Sequence, residues 1–272
     1  TIRCYSSTNL VDWKFEGDIA SNGKNGWPGG GTWVARLGVV YNAKNNNYVL
    51  LSQQGSGAGK GSAVLFATSP SPTGPWTYKG YQKNLNTLGP DPSFSAGTGD
   101  MTVFYDYTTG KAYLIFNNDG VTDGIHTSQN AENTYPERDE QYVGVLNDDF
   151  TAVVEVHKMY DGKLLNLGRE GGREANSMFT YGGWYYYASS ALRGWNTSPT
   201  HYMAGKSPLG PFVDENGQAN KTTEMKGSIG NFSHVSQVVG FTTMDPPVTP
   251  QAPLGQMVLE YGDRWSNIAG NG

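Results

Sequence analysis

The sequence lacks the features of disulfide-rich, metal-cluster, membrane-spanning and nucleic-acid-binding proteins. Cys4 is the only cysteine, which excludes an intrachain disulfide and a cysteine-based metal cluster. No run reaches the ~20 consecutive apolar residues of a membrane-spanning helix. The net charge is −5, so a basic groove for nucleic acid is not expected. We therefore expect neither a nucleic-acid nor a membrane partner.

The abundant residue types indicate strands and turns. The 272 residues include 37 Gly, 17 Tyr and 7 Trp, and only 16% are charged, which is typical of many short strands joined by turns. Helical periodicity is nearly absent. The sequence therefore predicts an all-β protein, and its acidic, aromatic-rich composition favours a neutral ligand such as a carbohydrate.

A hairpin pattern occurs four times. In "EANSMFTYGGWYYYASS" (174–190), two strand-forming runs are joined by Gly182-Gly183, a pair that readily adopts the positive φ angles of a tight turn. Similar hairpins occupy residues 36–53, 100–118 and 237–265. Their starts lie roughly 60–75 residues apart, which indicates an internal structural repeat.

A second element lies between these hairpins and completes the repeat. Residues 4–17, 66–80 and 203–215 each contain small residues, a turn with Gly or Pro, and then Trp or Phe, as expected of third and fourth strands. Such four-stranded repeats predict a β-propeller, whereas a β-sandwich would not be expected to repeat one unit so regularly. We expect residues 1–272 to form a single propeller domain in which the first or last blade is incomplete.

The repeat brings polar residues into register. Aligning the hairpins places Arg36, Asp100, Glu174 and Gln237 at equivalent strand starts. The innermost strands of a propeller line its channel, so these residues should converge there. One such residue would most often cap a strand, but several in register favour a site. Two carboxylates with a polar partner are the equipment of glycoside hydrolysis.

Other residues are secondary candidates for contact with a sugar. Trp195 and Trp265 follow second strands and belong at the rims, where they could stack on sugar rings or pack between blades. Arg264 could reach the channel or form an ion pair between blades. The full set of secondary candidates is Asn118, Gly194, Trp195, Arg264 and Trp265.

These stretches resemble glycoside hydrolase family 43, and within it the exo-β-1,3-galactanase branch. The motifs that carry the resemblance occur in the same order between Cys4 and Ser266: "CYSSTNLVDWKFEG", "GDMTVFYDYTTGKAYLIF", "REANSMF", "ASSALRGWN", "SPLGPF", "SQVVGF" and "YGDRWS". Each motif is weak alone, and seven in order are strong. The resemblance implies a five-bladed β-propeller.

The resemblance also implies roles for three residues. Glu174 would be the general acid, and Asp100 would be the helper carboxylate that orients the sugar and keeps the acid protonated. Gln237 matches a Gln proposed to act on water as its imidic-acid tautomer, in place of the Asp base that most of the family carries on the first inner strand. Because the family inverts the anomeric centre, roughly 6.5–9.5 Å is expected between the acid and the group opposite.

Three departures from the branch stand out. Its Glu-Arg-Pro motif, whose Glu contacts galactose, is here "ARL", so Ala35 replaces the Glu while Arg36 is retained as a candidate substrate-binding residue. This change weakens the expectation of galactose specificity. Asn176 replaces the Pro of the acid motif, which we expect to matter little. The first inner strand is absent, so an Asp on that strand stays an alternative to Gln237 as the base.

Three functional hypotheses follow. The leading one is an inverting exo-glycosidase that removes galactose from β-1,3-galactan of the arabinogalactan type. The second is a β-galactofuranosidase or α-L-arabinofuranosidase of the same family, favoured by Ala35. The third is a carbohydrate-binding propeller without catalysis, against which the retained Arg173-Glu174 pair argues.

Ligands and location are also predicted. No cofactor is expected, and although some relatives hold a Ca²⁺ in the channel, no ligand set here predicts that ion or another metal. The sequons at Asn196, Asn220 and Asn231 favour secretion. We expect a secreted, extracellular monomer that acts on a polysaccharide or oligosaccharide.

Overall fold

The computed structural model consists almost entirely of antiparallel strands. It describes residues 1–21, 23–24, 26–56, 60–89, 97–119, 140–161, 172–192, 199–213, 227–230, 237–245 and 248–263. Within these ranges a short 3-10 helix spans Leu85–Leu88. The strands are β1 (Ile2–Ser6), β2 (Lys14–Ala20), β3 (Thr32–Asn42), β4 (Asn47–Ser56), β5 (Lys60–Ser69), β6 (Thr77–Gln82), β7 (Gly97–Asp106), β8 (Lys111–Asp119), β9 (Glu140–Leu146), β10 (Val153–Asp161), β11 (Arg173–Tyr181), β12 (Trp184–Ala191), β13 (Thr200–Gly205), β14 (Phe212–Val213), β15 (Gly227–Gly230), β16 (Gln237–Met244) and β17 (Met257–Asp263).

The strands described form five sheets, each a meander of neighbouring strands. Their orders are β1-β2, β3-β4-β5-β6, β7-β8-β9-β10, β11-β12-β13-β14 with β15 also on β13, and β16-β17. The four predicted hairpins are β3-β4, β7-β8, β11-β12 and β16-β17. The predictions of an all-β fold and of these hairpins are confirmed.

The turn of the β11-β12 hairpin has the predicted geometry. Gly182 and Gly183 have φ angles of 58° and 75°, and they connect the directly paired residues Tyr181 and Trp184. Two consecutive positive φ angles match the twist of the flanking strands, which is why glycines are favoured there.

Apolar clusters between neighbouring sheets hold the stack together. One contains Val49 and Leu51 from β4 together with Leu114 and Phe116 from β8. A second joins the β7–β10 sheet to the β11–β14 sheet, and two smaller clusters join β1-β2 and β16-β17 to their neighbours. The sheets therefore stack face to face in chain order, as the buried alternate positions of their strands require.

The stack is not closed into a ring within the described residues. The first and last sheets have two strands each, and none of the apolar clusters joins them to each other. β3 also exposes Leu37, Val39 and Tyr41, each by more than 40%. These sheets therefore do not by themselves establish the number of blades. Among the residues described, no helix is long and apolar enough to cross a membrane.

Candidate active site

The first strand of each predicted hairpin is irregular close to its start. These four strands, β3, β7, β11 and β16, lie side by side. The pairing with the hairpin partner is interrupted in each: at Arg36 in β3, at Gly99–Asp100 in β7, at Ala175–Asn176 in β11 and at Val239 in β16. Arg36 and Ala175 have φ angles of 43° and 52°, in the left-handed region that side-chain-bearing residues rarely adopt. Bulges redirect side chains and are frequent beside active sites.

The four predicted residues at these strand starts meet in one chain of polar contacts. Nη2 of Arg36 donates a hydrogen bond to Oε1 of Gln237 at 2.6 Å and lies 3.1 Å from Oδ2 of Asp100. Nε2 of Gln237 donates to Oε1 of Glu174 at 2.6 Å and to Oγ of Ser190 at 2.9 Å. The convergence predicted from the repeat is therefore present in the structure.

These side chains are largely withdrawn from solvent. Asp100, Glu174 and Gln237 are 5%, 7% and 1% exposed, and the side chain of Arg36 is 12% exposed. Because a buried carboxylate is costly without a partner, the ion pair between Arg36 and Asp100 stabilises the arrangement. Nη1 of Arg36 is also buried, and no acceptor for it lies in the described part of the chain. This site therefore presents a donor that a ligand hydroxyl could satisfy.

Glu174 and Gln237 are closer together than the sequence predicted. A gap of roughly 6.5–9.5 Å was expected between the acid and the group opposite, enough for a water molecule. The two side chains instead form a direct hydrogen bond of 2.6 Å. The physical reason is that a buried amide N–H and a buried carboxylate oxygen satisfy each other's need for a hydrogen-bond partner.

The other predicted contacts have different outcomes. Asn118 is buried at the end of β8, where its Oδ1 accepts a hydrogen bond from the backbone N–H of Glu140 at 3.1 Å. This bond ties β8 to β9. The remaining predicted contacts, Gly194, Trp195, Arg264 and Trp265, lie outside the described residues.

A layer of buried amide side chains behind Glu174 was not predicted. Asn117 and Gln141 both donate to the backbone carbonyl of Arg173, at 2.9 and 3.2 Å. Asn176 donates to Oε1 of Gln141 and, at 2.9 Å, to the hydroxyl of Tyr187. Burial raises the pKa of Tyr187, so its hydroxyl stays neutral. Thus Asn176, which was expected to matter little, is fully buried and links two sheets.

A sequence signal for this layer existed. Asn117 directly follows the apolar run "AYLIF" of β8, and Gln141 precedes the apolar run "YVGVL" of β9. Polar residues inside buried strands usually have hydrogen-bond partners, so they mark positions where two sheets exchange bonds. The partners themselves could not be read from the sequence.

The acidic, imidazole and thiol side chains of the described residues do not gather into a metal site. No group of three or more His, Cys, Asp and Glu side chains is arranged there to hold an ion. Nε2 of His157 lies 2.7 Å from Oε1 of Glu155, an exposed residue on the same strand.

Comparisons with known proteins identify the family and the fold of this chain. The family model "Glycosyl hydrolases family 43" matches residues 1–243. The exo-β-1,3-galactanase from Clostridium thermocellum has a similar structure, with a TM-score of 0.69, 21% identity and coverage of 99% of this chain. An exo-β-1,3-galactanase from Phanerochaete chrysosporium, determined with β-1,3-galactotriose, has a TM-score of 0.63, 21% identity and coverage of 96%. No curated protein matches the sequence.

The two enzymes are longer than this chain. The alignment covers 50% of the Clostridium protein and 53% of the Phanerochaete protein. The chain therefore spans about half the length of each, and at this identity the likeness establishes a shared fold.

Proposed function

The chain belongs to glycosyl hydrolase family 43, and from this premise we propose that it is an exo-acting β-1,3-galactosidase that releases galactose with inversion. The predictions of the family and of a glycoside hydrolase are confirmed by the family match. The sugar, the linkage and the stereochemistry are the proposed part.

One observation carries the proposal. Asp100, Glu174 and Gln237 come from three different strands and, together with Arg36, form one buried network. Burying two carboxylates at irregular strand starts costs stability, and arrangements that carry such a cost cluster at ligand-binding and active sites. A pair of carboxyl groups of this kind is what glycoside hydrolysis requires.

Each residue has a role in the proposed reaction. Glu174 protonates the glycosidic oxygen as the bond to the anomeric carbon breaks. Asp100, held by Arg36, orients the sugar. Gln237 faces the acid and, as its imidic-acid tautomer, accepts a proton from the attacking water, whose oxygen bonds to the anomeric carbon as the glycosidic bond breaks. For this step a sugar and a water must first separate Gln237 from Glu174, because the two are now in contact.

The choice of galactose is supported by the structural neighbours, and Arg36 supports a sugar ligand in general. Both enzymes described above are exo-β-1,3-galactanases, and one was determined with a β-1,3-linked galactotriose. Nη1 of Arg36 is a donor for which the described residues provide no acceptor, and a sugar hydroxyl would satisfy it.

Ala35 favours a second candidate. It is exposed beside Arg36, at the position where the resemblance places a galactose-binding Glu. A pocket without that carboxylate could accept a furanose, so a β-galactofuranosidase or an α-L-arabinofuranosidase is the alternative.

The architecture proposed for this enzyme is a five-bladed propeller. In the described part of the chain, five sheets stack in chain order, and the first and last have two strands where the others have four or more. We assign these two sheets to incomplete blades. A secreted, monomeric protein acting on a polysaccharide completes the proposal, and the sequons support secretion.

The deciding experiment is hydrolysis of β-1,3-galactobiose followed by proton NMR. Inversion predicts that α-galactose appears first, and initial β-galactose would overturn it. A panel of nitrophenyl β-D-galactopyranoside, β-D-galactofuranoside and α-L-arabinofuranoside would identify the preferred sugar. Glu174→Gln serves as the control. If the protein binds galactan but releases no sugar from any substrate, the non-catalytic hypothesis replaces this one.

A further inference from the structure

The segment that carries Glu174 departs from regular strand geometry. The β11-β12 ladder is interrupted between Glu174 and Ser177, so the backbone of Ala175 and Asn176 is out of register with β12. Ala175 also has a φ angle of 52°, a strained conformation for alanine. Contacts from outside the hairpin must therefore hold this segment in place.

Gln141 provides such contacts on both sides of Glu174. Its Nε2 donates to the backbone carbonyl of Arg173, the residue before Glu174, at 3.2 Å. Its Oε1 accepts a hydrogen bond from Nδ2 of Asn176, two residues after Glu174. One side chain from β9 thus bridges the two ends of the irregular segment.

We propose that Gln141 and Asn176 form an amide clamp whose role is to position Glu174 for proton donation. They are positioning residues because they contact the backbone and side chains around Glu174, and they act through it. This inference rests on the proposed function, in which Glu174 is the general acid.

Further bonds make the clamp rigid. Asn117 donates to the same Arg173 carbonyl at 2.9 Å, and the hydroxyl of Tyr187 accepts from Asn176 at 2.9 Å. Gln141, Asn176, Asn117 and Tyr187 are completely buried. Hydrogen bonds in such a low-dielectric setting are strong, and leaving one partner unsatisfied is costly.

The chemistry of the clamp suits an acid that must change its charge. Glu174 is neutral before it donates its proton and anionic afterwards. Amide side chains hold the segment by hydrogen bonds without placing a fixed charge beside the carboxyl group. A Lys or Arg in the same place would favour the ionised form and oppose its role as an acid.

A purely structural role predicts a different result. If the amides only join the β7–β10 and β11–β14 sheets, their loss lowers stability while the folded enzyme keeps its chemistry. A matched control is Asn42, which is also a buried amide and donates to the carbonyl of Asp148 at 2.8 Å. Asn42 is the last residue of β3, where it accepts a hydrogen bond from the following turn, and it lies far along the strand from Arg36. Removing its amide should cost stability without affecting Glu174.

The test compares Gln141→Met and Asn176→Leu with Asn42→Leu on substrates of different leaving groups. The dinitrophenolate group of a dinitrophenyl galactoside leaves without being protonated. Cleavage of β-1,3-galactobiose, by contrast, requires the general acid. For the clamp variants we expect kcat on galactobiose to fall about 10- to 100-fold, with KM and the dinitrophenyl rate within about 3-fold of wild type. For Asn42→Leu both rates should be unchanged, and all assays are run well below each midpoint of thermal unfolding.

Two outcomes would overturn the clamp. One is an equal loss, or no loss, on both substrates in folded clamp variants, while Glu174→Gln affects only galactobiose. The other is a crystal structure of Gln141→Met in which Glu174 and Ala175 keep their positions. This second readout does not need activity, so it decides the inference even if the wild type hydrolyses no substrate, a result that would overturn the proposed function separately.

Discussion

The side-chain amide nitrogen of Gln237 donates a hydrogen bond of 2.6 Å to a carboxylate oxygen of Glu174, although the two residues are 63 positions apart in the sequence. The same nitrogen, Nε2, donates a second hydrogen bond to Ser190, and Oε1 accepts one from Arg36. Two donations from the nitrogen and acceptance at the oxygen are the hydrogen-bonding capacity of an ordinary amide. Gln237 must therefore release at least one of these bonds before it can act on water.

The first prediction concerns the role of Gln237. If it acts on water, Gln237→Ala should lower kcat on β-1,3-galactobiose about 100-fold or more, since loss of a catalytic base costs this much. Full activity in this variant would remove Gln237 from the chemistry.

The matched variant Gln237→Glu tests the contact with Glu174. It would place two carboxyl groups next to each other, and like charges at this distance raise the pKa of one of them. A proton is then held to higher pH, so the alkaline limb of the kcat profile should move to higher pH than in wild type. An unmoved limb would show that the two groups are not in contact in the working enzyme.

The second prediction concerns the ion pair between Arg36 and Asp100. Arg36→Met leaves Asp100 buried without this partner, which should lower the free energy of unfolding by about 3–5 kcal/mol. The double variant Arg36→Met with Asp100→Asn should regain part of the loss, because the buried negative charge that lost its cation is gone. Urea unfolding measures both, and equal stabilities would contradict this account. Lys44→Met, which removes an exposed ion pair with Asp148, is the control and should leave the free energy of unfolding nearly unchanged.

The third prediction concerns sugar preference. Ala35→Glu puts a carboxylate at an exposed position beside Arg36. A charged acceptor for sugar hydroxyls should raise the kcat/KM ratio of β-D-galactopyranoside to β-D-galactofuranoside about 10-fold. Ala35→Gln adds similar bulk without charge and should raise it less. If neither variant changes the ratio, Ala35 does not contact the sugar.

The fourth prediction concerns the residue before Asp100. A Cβ at Gly99 would lie 1.8 Å from Oδ1 of Asn117 and 2.9 Å from the backbone oxygen of Asn118. Gly99→Ala should therefore destabilise the protein by about 1–3 kcal/mol, the usual cost of overpacking. Gly30→Ala is the control, since no atom lies within 4 Å of its Cβ position. Thermal unfolding should separate the two variants, and equal midpoints would show that Asn117 moves aside freely.

The site residues on the inner strands could be predicted from the sequence, but their contacts could not. Arg36, Asp100, Glu174 and Gln237 were found because the repeat placed them at equivalent strand starts. The bulges in β3 and β11 left no local signal, since Arg36 and Ala175 are unusual residues for positive φ angles. The direct bond between Glu174 and Gln237 was missed because the predicted spacing described a site that contains a water and a sugar.

The contacts of the amide clamp, likewise, could not be predicted from the sequence. Asn117 and Gln141 stand out as polar residues in buried strands, but nothing in the chain order indicates that Gln141 of β9 reaches across to Arg173 and Asn176 of β11. The replacement of Pro by Asn176 was judged minor on sequence grounds. Its complete burial and its bonds give it a role that only its neighbours define.

The sequence by itself determined the strands, the turn at Gly182-Gly183 and the four strand starts, because side-chain alternation and turn chemistry are local properties of the chain. Only the tertiary structure decided which side chains touch. Sheets that stack face to face bring residues from distant strands within hydrogen-bonding distance, and the backbone then adopts bulges and positive φ angles that no local preference would select.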